Sequence, residues 1–213
     1  MTFPVTSQTL GAYIKLSREV FEDAPNISNM VNTSLAENLG LELDRVALEG
    51  SGTPPEPQGL LGATGVQQVI HNATLTYDAI SNAVQLIEVA NHTPNAMIYH
   101  PRDRGILDRL KDTTNQPLRP PESYQNLTKL PSSQISLITP ASPDVGGTAY
   151  VGEWSELLIG MRRELHFVVA TVASDASDDA FPQYQIWVAA WLRADIQLGR
   201  PAAFVTIEEL LAS

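Results

Sequence analysis

The sequence contains no cysteine, and only three of its 213 residues are lysine. Without cysteine the chain can form neither a disulfide framework nor a thiolate metal site. No apolar run approaches the roughly 20 residues that a membrane-spanning helix needs. The first residues, MTFPVTSQTLG, lack the basic segment followed by an apolar segment that marks a signal peptide. These absences exclude a small disulfide-stabilised secreted scaffold and predict no membrane partner.

Positive charge is also scarce, because 24 acidic residues outnumber 13 basic ones and the formal net charge is −11. Binding to nucleic acid requires Lys and Arg clustered against phosphates. The closest basic pairs are Arg102 with Arg104 and Arg162 with Arg163, and neither forms a patch in the sequence. We therefore expect no sequence-specific binding to nucleic acid. The excess of negative charge favours solubility and mutual repulsion, which slows premature association in a self-assembling protein.

The first quarter of the chain contains a strand pattern followed by a long helical pattern. Within residues 9–21, Tyr13, Lys15 and Ser17 alternate with Ile14 and Leu16, a short pattern that is typical of a strand. From Ile27 to Glu49 apolar residues recur every four positions, which predicts one amphipathic helix of about twice the average length. Gly40 lies inside this helix and could permit a close crossing of backbone. A strong stop follows at Gly50-Ser51-Gly52 and the prolines after it.

The remainder of the chain predicts mixed helices and strands, so the fold class is α+β. Residues 59–65, GLLGATG, predict a turn, and residues 114–121 predict a loop. The other predicted elements are helices at 77–90 and 101–111 and strands at 96–99, 135–139, 149–151, 157–160, 165–172, 184–197 and 202–207. The segment ASPDVGG closes the strand at 135–139, and an acidic loop covers 174–179.

Candidate catalytic and metal-binding motifs are weak. GLLGATG lacks the spacing of a dinucleotide or P-loop motif, and the histidines 71, 92, 100 and 166 lack metal-site spacing. Ser155 has no GxSxG context and no evident base, and the acidic residues Asp175, Asp178 and Asp179 lack the pattern of a calcium loop. The best polar cluster is His100 with Arg102, Asp103 and Arg104, which also suits a strand-to-helix corner. We therefore predict no catalytic, cofactor or metal residue, and a small α+β enzyme with a site near His100 remains the rival of another class.

Five ordered blocks of sequence resemble the major capsid proteins of tailed phages (Caudovirales), which share the Hong Kong 97-type fold. In the first, a strand with the pattern S-R-E leads into the long helix, and in the second the helix ends in G-x-G followed by P-x-G. The blocks are IKLSREVFEDAPN (14–26), ALEGSGTPPEPQGLL (47–61), AMIYHPRDRGILDRLKDTTNQPL (96–118), GTAYVGEWSELLIGMRRELHFVV (147–169) and WLRADIQLGRPAAFVTI (191–207).

The resemblance implies a subunit of two domains. A peripheral domain would comprise residues 1–58 and 152–198, with a spine helix at about 27–49 and the long strands. An axial domain would comprise residues 59–151 and 199–213. In this family the axial domains meet around five-fold and six-fold axes and the peripheral domains make the two-fold and three-fold contacts. We expect contacts between copies at the 114–124 loop and at Glu37 and Arg45 on the spine helix.

The resemblance also sets expectations for assembly and partners. The implied function is a structural protein that self-assembles as pentamers and hexamers into an icosahedral shell around a genome, in the virion, after assembly in the host cytoplasm. Scaffold, portal or decoration proteins are further expected partners. A shell protein of an encapsulin-like nanocompartment is the alternative within the same fold, and terminase and portal genes nearby would favour a phage.

The front of the sequence departs from the family pattern. Family members carry an N-terminal arm and an extended loop before the spine helix, whereas here the helix begins near residue 27. We therefore expect an N-terminally truncated chain without the crosslinking lysine of that loop, which stays monomeric or forms small oligomers.

Overall fold

A computed structural model describes residues 7–137, 147–175 and 179–210. Its helices are α1 (Arg18–Asp23), α2 (Ile27–Glu49), α3 (Tyr77–Val89), α4 (Pro101–Asp108) and α5 (Glu122–Gln125). Its strands are β1 (Gln8–Ser17), β2 (Gln67–Ala73), β3 (Ala96–Tyr99), β4 (Thr128–Pro131), β5 (Ala149–Gly152), β6 (Leu157–Ala170), β7 (Gln185–Leu198) and β8 (Phe204–Leu210). Short 3-10 turns precede β6 and β8.

The first sheet is antiparallel and has the order β1-β7-β6. Along β7 the predicted alternation is confirmed, because every second residue from Ile186 to Ile196 is buried on one face. Helix α2 covers that face with Val31, Leu35 and Leu39. Successive strand residues point to opposite faces, so the apolar residues at every second position of β7 lie on one face. They pack there against the apolar residues that recur every four positions along α2, and together they form one core.

The second sheet has five strands in the order β2-β8-β5-β3-β4. Strands β2 and β8 are parallel, as are β3 and β4, whereas β5 is antiparallel to both of its neighbours. Helix α3 packs on this sheet with Ile80, Ala83 and Ile87, all fully buried. A third cluster, which includes Leu48 and Phe204, joins the end of α2 to this second sheet.

The long helix occupies the predicted residues, Ile27–Glu49, and ends at Gly50 as predicted. The expectation that Gly40 permits a close crossing of backbone is wrong, because a Cβ on Gly40 would meet no described atom within 4 Å. The close backbone contact lies instead between Gly50 and Gly59, which approach each other directly after the helix ends. Glycine at both positions lets the chain turn back against its own helix.

Several predicted elements differ in their bounds. The strand pattern at residues 13–17 belongs to a longer strand, Gln8–Ser17, which is followed by the short helix α1. Helix α4 ends at Asp108 rather than residue 111. The two strands expected at 157–160 and 165–172 form one strand, β6. The register with β7 shifts on both sides of Arg163, in the stretch that separates the two predicted strands.

Other elements escaped prediction or were wrongly predicted. The polar edge strand β2, the single turn α5 and the exposed strand β4 have little periodicity to indicate them. The strand expected at 135–139 is wrong for residues 135–137, which are irregular with bends at 135 and 137. Residues 138–139, the segment 141–146 and the centre of the acidic loop, 176–178, lie outside the described residues.

The division into two domains remains a prediction, although each sheet has its own helix and core. Strands β1, β6 and β7 share a sheet with α2 packed on it, and the other five strands share the sheet beneath α3. Among the described residues, none of the helices combines the length and the hydropathy that crossing a bilayer demands.

Candidate assembly surfaces

The polar cluster at His100 closes a corner of the second sheet. His100 is the N-cap of α4, where its Nδ1 accepts a hydrogen bond from the backbone N–H of Arg102 at 3.1 Å. Arg102 pairs with Asp103 through Nε and Oδ1 at 3.0 Å and donates from Nη2 to the carbonyl oxygen of Leu210. Asp103 is 0% exposed, and burial raises the pKa of its carboxyl despite the neighbouring guanidinium. The cluster therefore ties α4 to the end of β8, and Arg104 points to Asp108 instead.

Of the other candidate polar residues, His92 and Ser155 are brought together through Glu153, whereas His71 and His166 lie elsewhere. His92 Nδ1 contacts Glu153 Oε2 at 3.0 Å, and this hydrogen bond is the main cause that lowers the pKa of Glu153. His71 bonds the carbonyl of Thr74, and His166 lies against Trp191. Ser155 Oγ lies 3.4 Å from Glu153 Oε1. Within ranges 7–137, 147–175 and 179–210, no three His, Asp or Glu side chains are grouped to hold a metal ion.

The acidic residues after β6 serve the hairpin that joins β6 to β7. Asp175 accepts hydrogen bonds from Tyr13 Oη at 2.9 Å and Lys15 Nζ at 2.8 Å on strand β1. Asp179 forms a bridge with Ser174, and Asp178 lies outside the described residues. These contacts fasten the base of the hairpin to β1.

The two spine-helix charges expected at contacts between copies lie in different surroundings. Glu37 is exposed. Arg45 is half-buried and binds Glu42 on its own helix and Glu56 in the loop after it. Those two carboxylates hold the pKa of Arg45 above its usual value. Arg45 therefore fastens the returning loop to the helix.

Strand β6 presents a long edge, since it pairs with β7 alone among the described strands. Exposed edges with apolar side chains are templates for association with another chain. Leu158, Ile159 and Met161 are exposed at one end of this edge, and Val169 at the other. Arg162, Arg163 and Glu164 lie between them where the register shifts, so the charged centre interrupts the apolar edge.

The loop that joins β6 to β7 carries exposed apolar side chains. Val172 is 76% exposed, Phe181 is 77% exposed and Tyr184 is 57% exposed. Large exposed apolar side chains mark interaction surfaces. The described part of the β6–β7 loop is therefore a candidate contact between copies.

Two apolar grooves flank the long helix. One, of about 210 Å³, lies between β1, the second half of α2 and the Pro55–Pro57 loop. The other, of about 370 Å³, lies between α2, the exposed strand β4 and the start of β6. Both are open clefts, and their described lining residues include no buried cluster of ionisable side chains. Their mainly apolar linings favour contact with another protein surface.

The predicted contact loop, residues 114–124, contains an exposed hairpin and the helix α5. Lys111 pairs with Pro117 in an antiparallel bridge, and the N–H of Leu118 donates to the carbonyl of Leu110 at 2.8 Å. Asp112 caps the turn by accepting from Thr114 and Gln116, which lowers the pKa of its carboxyl. The loop is therefore held in a defined hairpin by its own hydrogen bonds. The exposed cations Arg109, Lys111 and Arg119 lie where the two arms of the hairpin pair.

A family model described as the phage capsid family matches residues 3–208, nearly the whole chain. The chain belongs to the phage capsid family. Within this family it is 27% identical over 107 residues to the major capsid protein of Enterobacteria phage HK97. That match covers 49% of this chain and 28% of the relative, so the aligned part is under a third of the relative's length.

Solved structures share the fold at low sequence identity. A chain from Mycobacterium phage Adephagia superposes with a TM-score of 0.73 at 16% identity, covering 92% of this chain and 66% of that chain. A chain from the capsid of a native GTA particle, computed with C5 symmetry, gives 0.71 at 15% identity and covers 98% and 74%. The expected α+β capsid fold is therefore confirmed.

Sequence reasoning predicted contacts at the 114–124 loop, which stays a prediction, but missed how charge is distributed around it. Residues 59–100 contain two carboxylates and no Lys or Arg, whereas residues 102–129 contain six of the 13 Lys and Arg residues. This segregation was readable from the sequence. The pairing at Lys111 and Leu118, which gathers the cations, required the structure.

Proposed function

We propose that this chain is a structural subunit of an icosahedral phage-type shell, a component of the virion that is assembled in the host cytoplasm. The observation that carries the proposal is the 23-residue helix α2 packed across the three-stranded sheet, in a chain that matches the capsid family over residues 3–208. The activity is self-association and involves no catalysis.

The proposed partners are other copies of the chain in pentamers and hexamers. The β6–β7 loop, the edge of β6 and the loop at 111–119 supply candidate surfaces on one subunit. Several distinct surfaces are what a shell subunit needs, because each closes a different symmetric contact. Scaffold, portal and decoration proteins are further proposed partners.

Sedimentation velocity and negative-stain electron microscopy of the purified chain test the proposal. We expect a concentration-dependent equilibrium between monomers and ring-shaped pentamers or hexamers. The control is Leu39→Asp, which places a carboxylate at a position only 2% exposed in the core beneath α2 and should abolish folding and rings together. Of the two outcomes expected from the sequence, a monomer or small oligomers, the proposed function requires small oligomers, so a wild-type chain that stays monomeric at every accessible concentration would contradict it.

A further inference from the structure

The second sheet carries two exposed patches of opposite charge at the two ends of α3. We define the basic hairpin as Arg109, Lys111, Leu118 and Arg119, and the acidic helix end as Glu88 and Val89. All six side chains are exposed. Leu118 is 44% exposed and Val89 is 73% exposed, so each patch combines charge with an apolar side chain.

The cations of the basic hairpin have no ion pair among the described residues. Pairing of Lys111 with Pro117 and of Leu110 with Leu118 brings residues 109–111 beside 117–119. The nearby carboxylates are engaged elsewhere, since Asp112 accepts hydrogen bonds within its own turn and Asp108 faces Arg104. The hairpin therefore carries an excess of positive charge, because its three cations outnumber the carboxylates of Asp108 and Asp112 beside them.

Glu88 is a negative charge without a neighbouring cation on its helix. It lies in the last turn of α3, where no basic residue is present. The C-terminal end of a helix carries a partial negative charge and favours cations, so a carboxylate there is unfavourable. His92, just beyond the helix, is bonded to Glu153. A cation supplied from outside would relieve this imbalance.

The two patches of one copy are too far apart to neutralise each other. The Tyr77 hydroxyl donates to the carbonyl of Leu107 at 3.2 Å, which places the basic hairpin near the N-terminal end of α3. Glu88 lies 11 residues further along this helix, or about 16 Å at 1.5 Å per residue. That separation exceeds the screening length of about 8 Å at physiological salt.

We propose that the basic hairpin of one copy docks on the acidic helix end of the next copy, with Leu118 against Val89. The contact is head-to-tail, because the two surfaces differ, and a head-to-tail contact closes into a ring when the rotation permits. Opposite charges orient the encounter and exclude pairing of like patches. This inference rests on the proposed function and names the contact within one ring.

Charge reversal followed by mixing tests the proposal. The first variant is Glu88→Arg, and the second is Lys111→Glu combined with Arg119→Glu. Each brings like charges together at the contact, and we expect the dissociation constant for ring formation to rise about tenfold or more. An equimolar mixture of the two variants should recover association into hexamers, because the two variants can alternate around an even-numbered ring and each then offers the surface that the other needs. A pentamer would keep one repulsive contact between like copies and should not recover.

The control is Asp23→Arg, which changes net charge as Glu88→Arg does, at an exposed position on α1. It should associate like the wild type, and all variants should keep the wild-type circular dichroism spectrum. Wild-type association in both reversed variants, or a mixture that fails to recover hexamers, overturns the docking assignment and leaves the proposed function standing. A wild-type chain that never associates contradicts the proposed function itself.

Discussion

At the scale of single residues, glycines near the long helix have opposite surroundings. Gly40 lies on the exposed side of α2, and an added Cβ would meet no described atom within 4 Å. Gly50 follows the last helical residue, and an added Cβ would collide with the carbonyl oxygens of Pro57 and Val46. Glycine weakens the helix at Gly40 and permits the turn at Gly50.

The substitutions Gly40→Ala and Gly50→Ala should therefore change stability in opposite directions. We expect Gly40→Ala to raise the free energy of unfolding by about 0.5–1 kcal/mol through helix propensity. Gly50→Ala should lower it by about 1–3 kcal/mol through overpacking against backbone. Urea unfolding followed by circular dichroism measures both, and a loss of stability in Gly40→Ala would show that this position makes a contact in the chain that we do not see.

At the scale of elements, the long helix is held by its packing on the three-stranded sheet. Leu39 is 2% exposed and faces the sheet, whereas Leu41, two positions on, is 45% exposed. Residues two apart lie on different sides of a helix, so only one of the two side chains contributes to the core. The sequence period of four predicted this face, because Leu39 belongs to the repeat and Leu41 does not.

Alanine substitution at these two leucines compares the faces within one helix. Leu39→Ala should lower the free energy of unfolding by about 2–5 kcal/mol, since it leaves a cavity beneath the helix. Leu41→Ala should change it by less than about 0.5 kcal/mol. Equilibrium denaturation gives both values, and equal losses would contradict the packing of α2 on the sheet.

At the scale of the whole molecule, Glu49 joins the long helix to the second sheet. It is the last residue of α2, and its Oε1 accepts from the backbone N–H of Ser136 at 2.8 Å. Burial is the main cause that raises the pKa of its carboxyl, and Arg45 opposes the shift. Burial, followed by the carboxylates of Glu49 and Glu208, also raises the pKa of the nearby Tyr150.

Substitution Glu49→Gln should change how stability depends on pH. Because folding raises the pKa of Glu49, the folded chain binds more protons than the unfolded chain above the usual value near 4.5. The contribution of this group to stability is therefore present at lower pH and is lost as pH rises through the raised pKa. Glutamine cannot ionise, so the stability of the variant relative to wild type should increase from about pH 4 to pH 7. A difference that stays constant across thermal unfolding at these pH values would contradict the raised pKa.

The sequence alone determined the elements whose pattern is periodic. The spacing of Leu35 and Leu39 predicted α2, and the alternation from Ile186 to Ile196 predicted β7, because each pattern follows from burying one face. The ordered blocks of sequence also predicted the capsid fold. Edge strands such as β4 have no buried face along their length, so nothing in their sequence indicated them.

Only the tertiary structure decided which charged residues face outward without partners. Arg45 and Arg119 are the same residue type, yet their surroundings differ. Arg45 forms ion pairs with two carboxylates, whereas Arg119 has no ion pair among the described residues. The difference arises because the chain returns past α2 and brings Glu56 to Arg45, whereas the turn at Asp112 uses its own carboxylate. Partners distant along the chain are brought together by folding, and sequence spacing carries no record of them.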